Sequence, residues 1–287
     1  MARILVMGTI AYDHVIRLKA PLIAGGHQNG TDRGLRLGGG GANAAVALAR
    51  AGDTALLVSA LGNDLAGEAL KGELLALGVD LSLSLQLEDA SSRSIVMTDT
   101  LGERSIVNLQ RLMESDPPWR ILKADADALY VRSRQERLAP LLCKMADRMT
   151  VVAHVPPTAP ASVPAQILVG SESDLDQAFL ADPFAMGRTV SAGRLAWIVI
   201  TRGSKGAEAF GPDGAHLTQP ARQVDVVDST GAGDAFAAGL THALARNLPM
   251  PKALEIAVAW GTAATQYDGS APGPGFPPLT LPQARGK

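Results

Sequence analysis

Along most of this chain, short apolar runs alternate with stretches of helical period, and no other feature constrains the fold as much. Arg3–Ile10 reads as a buried strand. Ala42–Ala51 is a helix pattern stopped by Gly52, and Thr54–Leu61 returns to a strand. Asp64 is placed to cap a helix that runs toward Leu77 and stops at Gly78. Further on come a strand at Ala128–Val131, a helix at Glu136–Arg148, strands at Thr150–Ala153 and Gln166–Val169, a helix at Leu175–Ala181 and a strand at Leu195–Thr201. Gly206–Phe210 pairs with His216–Thr218 across a Gly-Pro-Asp-Gly turn, and the helices Ala235–Arg246 and Lys252–Gln266 follow. Strands joined through helices run parallel, and a parallel sheet needs cover on both faces. The expected class is α/β, with a mostly parallel central sheet.

Two segments break the rhythm. Residues 14–37 carry Pro21, Gly25, Gly26, Gly30 and Gly34 without helical period, and read as irregular strands or a flap outside the core. In 91–108, Ser94–Thr98 and Arg104–Val107 flank Asp99-Thr-Leu-Gly102, a hairpin signal. The two segments can combine into a small accessory sheet. The expected division is a core of 1–13, 38–90 and 109–287 and a sheet of 14–37 and 91–108. The Pro/Gly-rich stretch Gly269–Pro282 reads as extended.

Composition excludes several functions. The 287 residues are 47% hydrophobic, enough for a substantial core. Lys and Arg total 26 against 28 Asp and Glu, and no run supplies the basic face a nucleic-acid binder needs. The single cysteine, Cys143, rules out a disulfide framework and reads as a small core residue in a helix. No apolar stretch approaches the roughly 20 residues that span a bilayer, and no targeting segment stands at the N-terminus, so a cytoplasmic protein is expected. There is no G-x-x-x-x-G-K-[ST] loop, no protein-kinase signature and no G-x-S-x-G elbow. The five histidines show no metal-ligand spacing, and most are expected at the surface.

The glycine clusters carry the chemistry. In Asp228-Ser-Thr-Gly-Ala-Gly-Asp234, Gly231 and Gly233 let backbone N–H groups crowd toward one point, and the following helix adds its positive dipole end. That is an anion site suited to phosphate. Asp234 at its lip can take a proton from an attacking hydroxyl, or serve only as an N-cap. Gly38-Gly-Gly-Gly-Ala-Asn43 lets a ligand approach the backbone, with Asn43 offering both a carbonyl and an amide to sugar-type hydroxyls. Gly39-x-Gly41-x-x-Ala44 also fits a dinucleotide fingerprint, but no acidic residue stands about 20 positions on. Asp13 ends the first strand, where ligands of open α/β sheets bind. Thr201-Arg-Gly-Ser-Lys-Gly206 is a nucleotide loop or a hairpin turn, and Gly170-Ser-Glu-Ser-Asp174 holds water around Mg²⁺ or caps a helix.

Together these motifs resemble the ribokinase-like (PfkB) carbohydrate kinase family over nearly the whole chain. GGGGAN at 38–43, with Ala45, Gly52 and Gly62, matches one family signature, and DSTGAGDAFAAGL at 228–240 matches a second, more specific one. The resemblance implies a three-layer α/β/α core with a small β lid. It implies ATP-dependent transfer of the γ-phosphoryl group to a hydroxymethyl group of a small sugar. By position Asp234 would be the general base, with the amides of Gly231, Ala232, Gly233 and Asp234 as the anion hole. Asp13, Gly39, Gly40, Gly41, Asn43 and Arg93 would meet the acceptor. Ser171, Asp174, Thr201, Gly203, Ser204, Gly206 and Gly233 would meet ATP, with Asp174 reaching Mg²⁺ through water. Asp228 and Thr230 match positions that bind a monovalent cation, such as K⁺, in many members. Lids of the family pair in some members, which leaves a homodimer open.

Departures leave the acceptor open. Ribokinases carry Asn at the position of Ala11 and Lys at that of Gly40, and a substrate-binding Glu near Ser133 or Arg134 is missing. Ala-Tyr-Asp at 11–13 is similar to nucleoside kinases of the family. Arg93, at a position where phosphosugar kinases place a phosphate-binding Arg, together with Arg132 and Arg134, points toward phosphosugars. The family's N-x-x-E appears only as Ser171-x-x-Asp174, one methylene shorter. A sugar kinase leads, with nucleoside and phosphosugar kinases as alternatives. A non-catalytic sugar- or nucleotide-binding protein is the alternative from another class, and a dinucleotide-dependent oxidoreductase rests only on the fingerprint.

Overall fold

The structure is a computed structural model that describes residues 1–101, 104–133, 135–156 and 162–277. In chain order it runs β1 (Arg3–Met7), β2 (Ala11–Leu18), β3 (Gly30–Gly38), α1 (Gly40–Arg50), β4 (Thr54–Val58), β5 (Ala60–Gly62), α2 (Leu65–Ala76), β6 (Leu85–Leu87), β7 (Arg93–Thr98) and β8 (Arg104–Gln110). Then come β9 (Ala128–Val131), α3 (Ala139–Ala146), β10 (Thr150–His154), β11 (Ile167–Ser171), α4 (Gln177–Ala181), α5 (Pro183–Val190), β12 (Trp197–Thr201), β13 (Ala207–Phe210), β14 (His216–Gln219), α6 (Ala232–Leu244) and α7 (Met250–Ala264).

The main sheet has the order β14-β13-β12-β11-β10-β9-β1-β4. It is parallel from β12 to β4, with β13 and β14 added antiparallel at one edge. Period-2 alternation divides each strand between two cores. Ile4, Val6, Val152 and Val199 pack under α1, α2, α6 and α7. Leu5, Met7, Val151 and Ile200 pack under α3, α4 and α5 on the other face. The result is a sheet covered on both faces, as the alternation predicts, in the three-layer α/β/α sandwich that the resemblance implies.

Local chemistry sets the ends of the helices. Asp64 accepts a hydrogen bond from the Gly67 amide at 2.7 Å and caps α2. Gly52 stops α1 in the left-handed region, with φ 81°. Helix α5 escaped the sequence reading, although Asp182 caps it and Pro183 opens it. The helix expected from Glu136 begins as a 3₁₀ turn, and Cys143 lies half-buried in α3.

Residues of 14–37 and 91–108 enter a second sheet with the order β3-β2-β7-β8. Its strands are more regular than the glycines suggested. Leu18 and Leu37 are buried, which corrects the placement of 14–37 wholly outside the core. Strand β2 starts at Ala11, so Asp13 stands on this sheet. Gly102 of the hairpin turn, Arg134 and residues 278–282 of the tail lie outside the described residues. Among those described, no helix is long and apolar enough to cross a membrane.

Candidate active site

The carboxyl ends of the parallel strands and the amino ends of α1 and α6 meet at one edge of the main sheet, where open α/β sheets bind ligands. The two glycine turns meet there through side chains far apart in sequence. Asp234, buried in the first turn of α6, accepts a hydrogen bond from Asn43 Nδ2 of α1 at 2.9 Å on Oδ2. Its Oδ1 accepts from Arg132 Nε at 3.0 Å, just past β9. Asp234 is therefore no N-cap. That place belongs to Gly231, at φ 79° with no side-chain cap.

The turn before α6 is open toward ligand. Ala232 N–H turns to the Ser229 carbonyl at 3.3 Å, while among the described residues the amides of Gly233 and Asp234 take no hydrogen-bond partner. Gly233 is exposed, and a Cβ there would meet nothing within 4 Å. Unpaired N–H groups at a helix N-terminus attract anions. Gly231 has a different reason to be glycine: a Cβ would lie 1.9 Å from the Ser270 carbonyl.

The 38–41 turn is closed by packing. The amides of Gly41 and Ala42 both turn to the Thr9 carbonyl at 3.2 Å. A Cβ on Gly38 would run into the Asp13 carboxylate at 2.0 Å, and one on Gly41 would meet the Gly8 carbonyl carbon at 2.5 Å. Gly39 has φ 90° against the Thr9 carbonyl. A Cβ on Gly40 would meet Arg132 Cγ at 2.6 Å and Asp234 Oδ1 at 2.9 Å.

Asp13 is half-buried across the cleft. Burial pushes its carboxyl above the usual carboxylate range, and the charge of Asp234 adds to that. The Ser94 hydroxyl and the charges of Arg111 and Arg104 oppose it. Arg93 is not brought into this group. It is exposed, and its charge acts on Asp64 instead. Ser94, one residue on, faces Asp13, because successive strand residues point to opposite faces. Arg111, just past β8, went unremarked in the sequence reading. Its signal is a basic residue leaving the second strand of the hairpin. Burial lowers the Arg111 guanidinium and Asp13 holds it up.

Two further polar atoms stand at the site without a hydrogen bond. Asn43 Oδ1 and the hydroxyl of the fully buried Tyr130 have no partner. Buried polar groups are normally paired, so an enclosed acceptor left without a partner beside Asp234 suits a ligand hydroxyl. Burial and the charge of Asp234 keep Tyr130 un-ionised, well above the usual range.

On the other side, Ser171 of β11 pairs in register with Thr201 of β12. Ser171 Oγ and Ser173 Oγ lie 2.9 Å apart, and Ser173 reaches Asp174 Oδ1 at 3.3 Å. Gly203, Ser204 and Gly206 form the turn from β12 to β13, where Arg202 N–H bonds the Gly206 carbonyl at 2.8 Å. These groups are mostly exposed, unlike the network around Asp234. Asp228 Oδ1 accepts from the Thr230 amide at 2.8 Å, and both residues line a cleft with Asp13 and Ser270. Among the described residues no three His, Cys, Asp or Glu gather as a metal cage.

Comparison with known proteins bears on this arrangement. Residues 1–274 match the pfkB family of carbohydrate kinases. The chain belongs to that family. Among relatives, it is 27% identical to the ATP-dependent ribose-1-phosphate kinase of Halopiger xanaduensis, over 96% of this chain and 95% of that one. A ribokinase of Cryptococcus neoformans solved with ADP is 26% identical, with a TM-score of 0.71 over 94% of this chain and 96% of that one. A ribokinase of Thermotoga maritima, 19% identical, shares the fold with a TM-score of 0.78 over 94% and 95%. The PfkB chain described here is thus an ATP-dependent kinase of sugars or nucleosides. Membership removes the dinucleotide-dependent oxidoreductase, and the fingerprint glycines have packing reasons of their own.

Proposed function

We propose that this PfkB protein transfers the γ-phosphoryl group of ATP to a hydroxymethyl group of a small sugar, with Asp234 as general base. The acceptor oxygen attacks the γ-phosphorus and its proton passes to the Asp234 carboxylate. The new O–P bond forms as the bond to the bridging oxygen breaks, and the electron pair leaves on ADP. Asp234 can accept that proton because a carboxylate has about four acceptor sites and two are used. Asn43 Nδ2 and Arg132 Nε hold it in place. The open amides of Gly233 and Asp234 receive the charge of the moving phosphoryl group, which needs positioning and charge stabilisation more than covalent chemistry.

Asp13 and the unpaired Asn43 Oδ1 would take acceptor hydroxyls. Ser171, Thr201 and the 203–206 turn would take ATP. Mg²⁺ would travel with the ATP phosphates, and Asp174 suits water-mediated contact, since Mg²⁺ keeps several waters and needs few protein carboxylates. It would neutralise phosphate charge. Oxygen groups at Asp228, Thr230 and Ser270 suit a K⁺ ion that would brace the turn before α6.

The observation that carries this reading is the position of Asp234, buried and held by Asn43 and Arg132 beside an open helix N-terminus. Asp234→Asn should keep the fold and ATP binding yet lose turnover by roughly 10²-fold or more, the scale of general base catalysis. ADP release measured with a panel of sugars and nucleosides checks it. Near-wild-type turnover in that variant overturns the assignment.

A further inference from the structure

The kinase reading uses one edge of Arg132 and leaves the other without work. Arg132 touches Asp234 through Nε alone. Its terminal Nη1 and Nη2 groups take no partner among the described residues, and neither is enclosed as an unpaired buried atom. The side chain is 28% exposed, so the free edge of the guanidinium is not sealed off by the fold. A planar fork with two outward amino groups matches the oxygens of a phosphate or carboxylate, which it binds bidentately.

The surroundings keep that fork in place and charged. Gly40 leaves room for the Arg132 stem, since a Cβ at 40 would lie 2.6 Å from its Cγ. Gly8 backs the stem from the acceptor side, where a Cβ would lie 3.1 Å from Arg132 Cβ. Burial alone would lower the Arg132 guanidinium, but the charge and hydrogen bond of Asp234 and the charge of Asp174 raise it. Next to its backbone, Gly8 and Ser133 line a cleft that also carries Thr9, Ser59 and Arg137. Its wall carries two carboxylates, Glu114, which is paired with Arg120, and Asp116, which is exposed.

We propose that Arg132 is a specificity-determining residue whose free Nη edge binds an anionic group, a phosphate ester, on the acceptor sugar while its Nε edge holds Asp234. One guanidinium then ties the position of the acceptor to the orientation of the base. A neutral sugar leaves the fork without an anion and loses a charge-assisted contact. This inference rests on the kinase reading and narrows its acceptor to phosphorylated sugars. The competing role for the same edge is contact with the transferred phosphoryl group.

Ribose with ribose 1-phosphate, and fructose with fructose 6-phosphate, are matched pairs in which both members keep a free hydroxymethyl group. In the wild-type protein, the phosphorylated member of at least one pair should have a kcat/KM on the order of 100-fold above its parent. Arg132→Gln should cut that ratio by about the same factor, chiefly through KM, and Arg132→Lys should keep part of it because charge survives without the fork. Without ATP, the same phosphorylated sugar should raise the Tm of the wild type and of Asp234→Asn, but not of Arg132→Gln. Stabilisation of Arg132→Gln by ATP checks that this variant is folded. Preference for neutral sugars overturns the proposal. So does an Arg132→Gln variant that loses kcat equally on both members with the ratio intact, which assigns the fork to the transferred group. Absence of any Tm rise with either phosphorylated sugar in the wild type also overturns it. ADP formed only from neutral sugars sinks the anion site and leaves the kinase reading standing. Arg132-dependent stabilisation with no ADP from any acceptor does the reverse.

Discussion

The helix starts at Gly40 and Ala232 look alike in sequence, since each follows small residues and neither has a side-chain cap. In space they differ. Before α1, each of the four glycines has a packing or backbone reason: the Asp13 carboxylate, the Thr9 carbonyl, the Arg132 stem and the Gly8 backbone. The first amides of α1 are spent on Thr9. Before α6, Gly231 has such a reason in the Ser270 carbonyl, but Gly233 has none, and the amides at 233 and 234 stay open. A glycine that the folded chain does not require marks space kept for something else. The 38–41 turn is packed so that it places Asn43 and admits Arg132, whereas the 231–234 turn leaves backbone donors vacant.

Substitutions at the two turns should separate these roles. Gly41→Ala drives a Cβ into the Gly8 backbone, where neither side can yield cheaply, and should cost about 3 kcal/mol of stability. Denaturant unfolding measures it, and a loss well under 1 kcal/mol would put 38–41 in the same class as 231–234. Gly233→Ala should do the opposite to the fold. An exposed helical glycine replaced by alanine gains up to about 1 kcal/mol. Its Cβ enters the space in front of the open amides, so kcat/KM for ATP should fall by about 10-fold or more. A variant that is both more stable and fully active would show that the space is idle.

The smallest effect sharpens the contrast between scaffold and site at Asp13. Its folded carboxyl titrates above the unfolded value because burial disfavours its charge. Ionised Asp13 therefore costs stability at every pH above the folded value, and the cost fades as pH falls toward the unfolded value of about 3.9. Asp13→Asn should raise Tm slightly at neutral pH, by less near pH 4, while the KM for the acceptor rises. Thermal melts across that range check the sign. A variant less stable at pH 7 would mean that Asp13 serves the fold.

Much of the fold was legible because its signals are local. Strand β9 lies at the residues its apolar run marks, Asp64 caps α2, and Gly52 stops α1. Helix α5 was equally legible in Asp182-Pro183 and was passed over. The site was legible only in part. Asp234 and Asn43 stood out by their glycine neighbours, but Arg132, 102 residues from Asp234, had only its place after a strand. Arg111 carried no motif.

By itself the sequence marked most strands and helices of the main sheet and the two turns that hold the glycines, because patterning, caps and backbone freedom act over a few residues. The tertiary structure alone decided what those turns do. A register irregularity in the β7–β8 pairing falls between Arg93 and Ser94, and the serine faces Asp13 while the arginine's charge acts on Asp64. The pairing of Arg132 with Asp234 depends on how α6 packs over β9. Strand parity and helix packing place side chains to within a few ångströms, and burial then sets the strength of each charge; neither is written in local spacing.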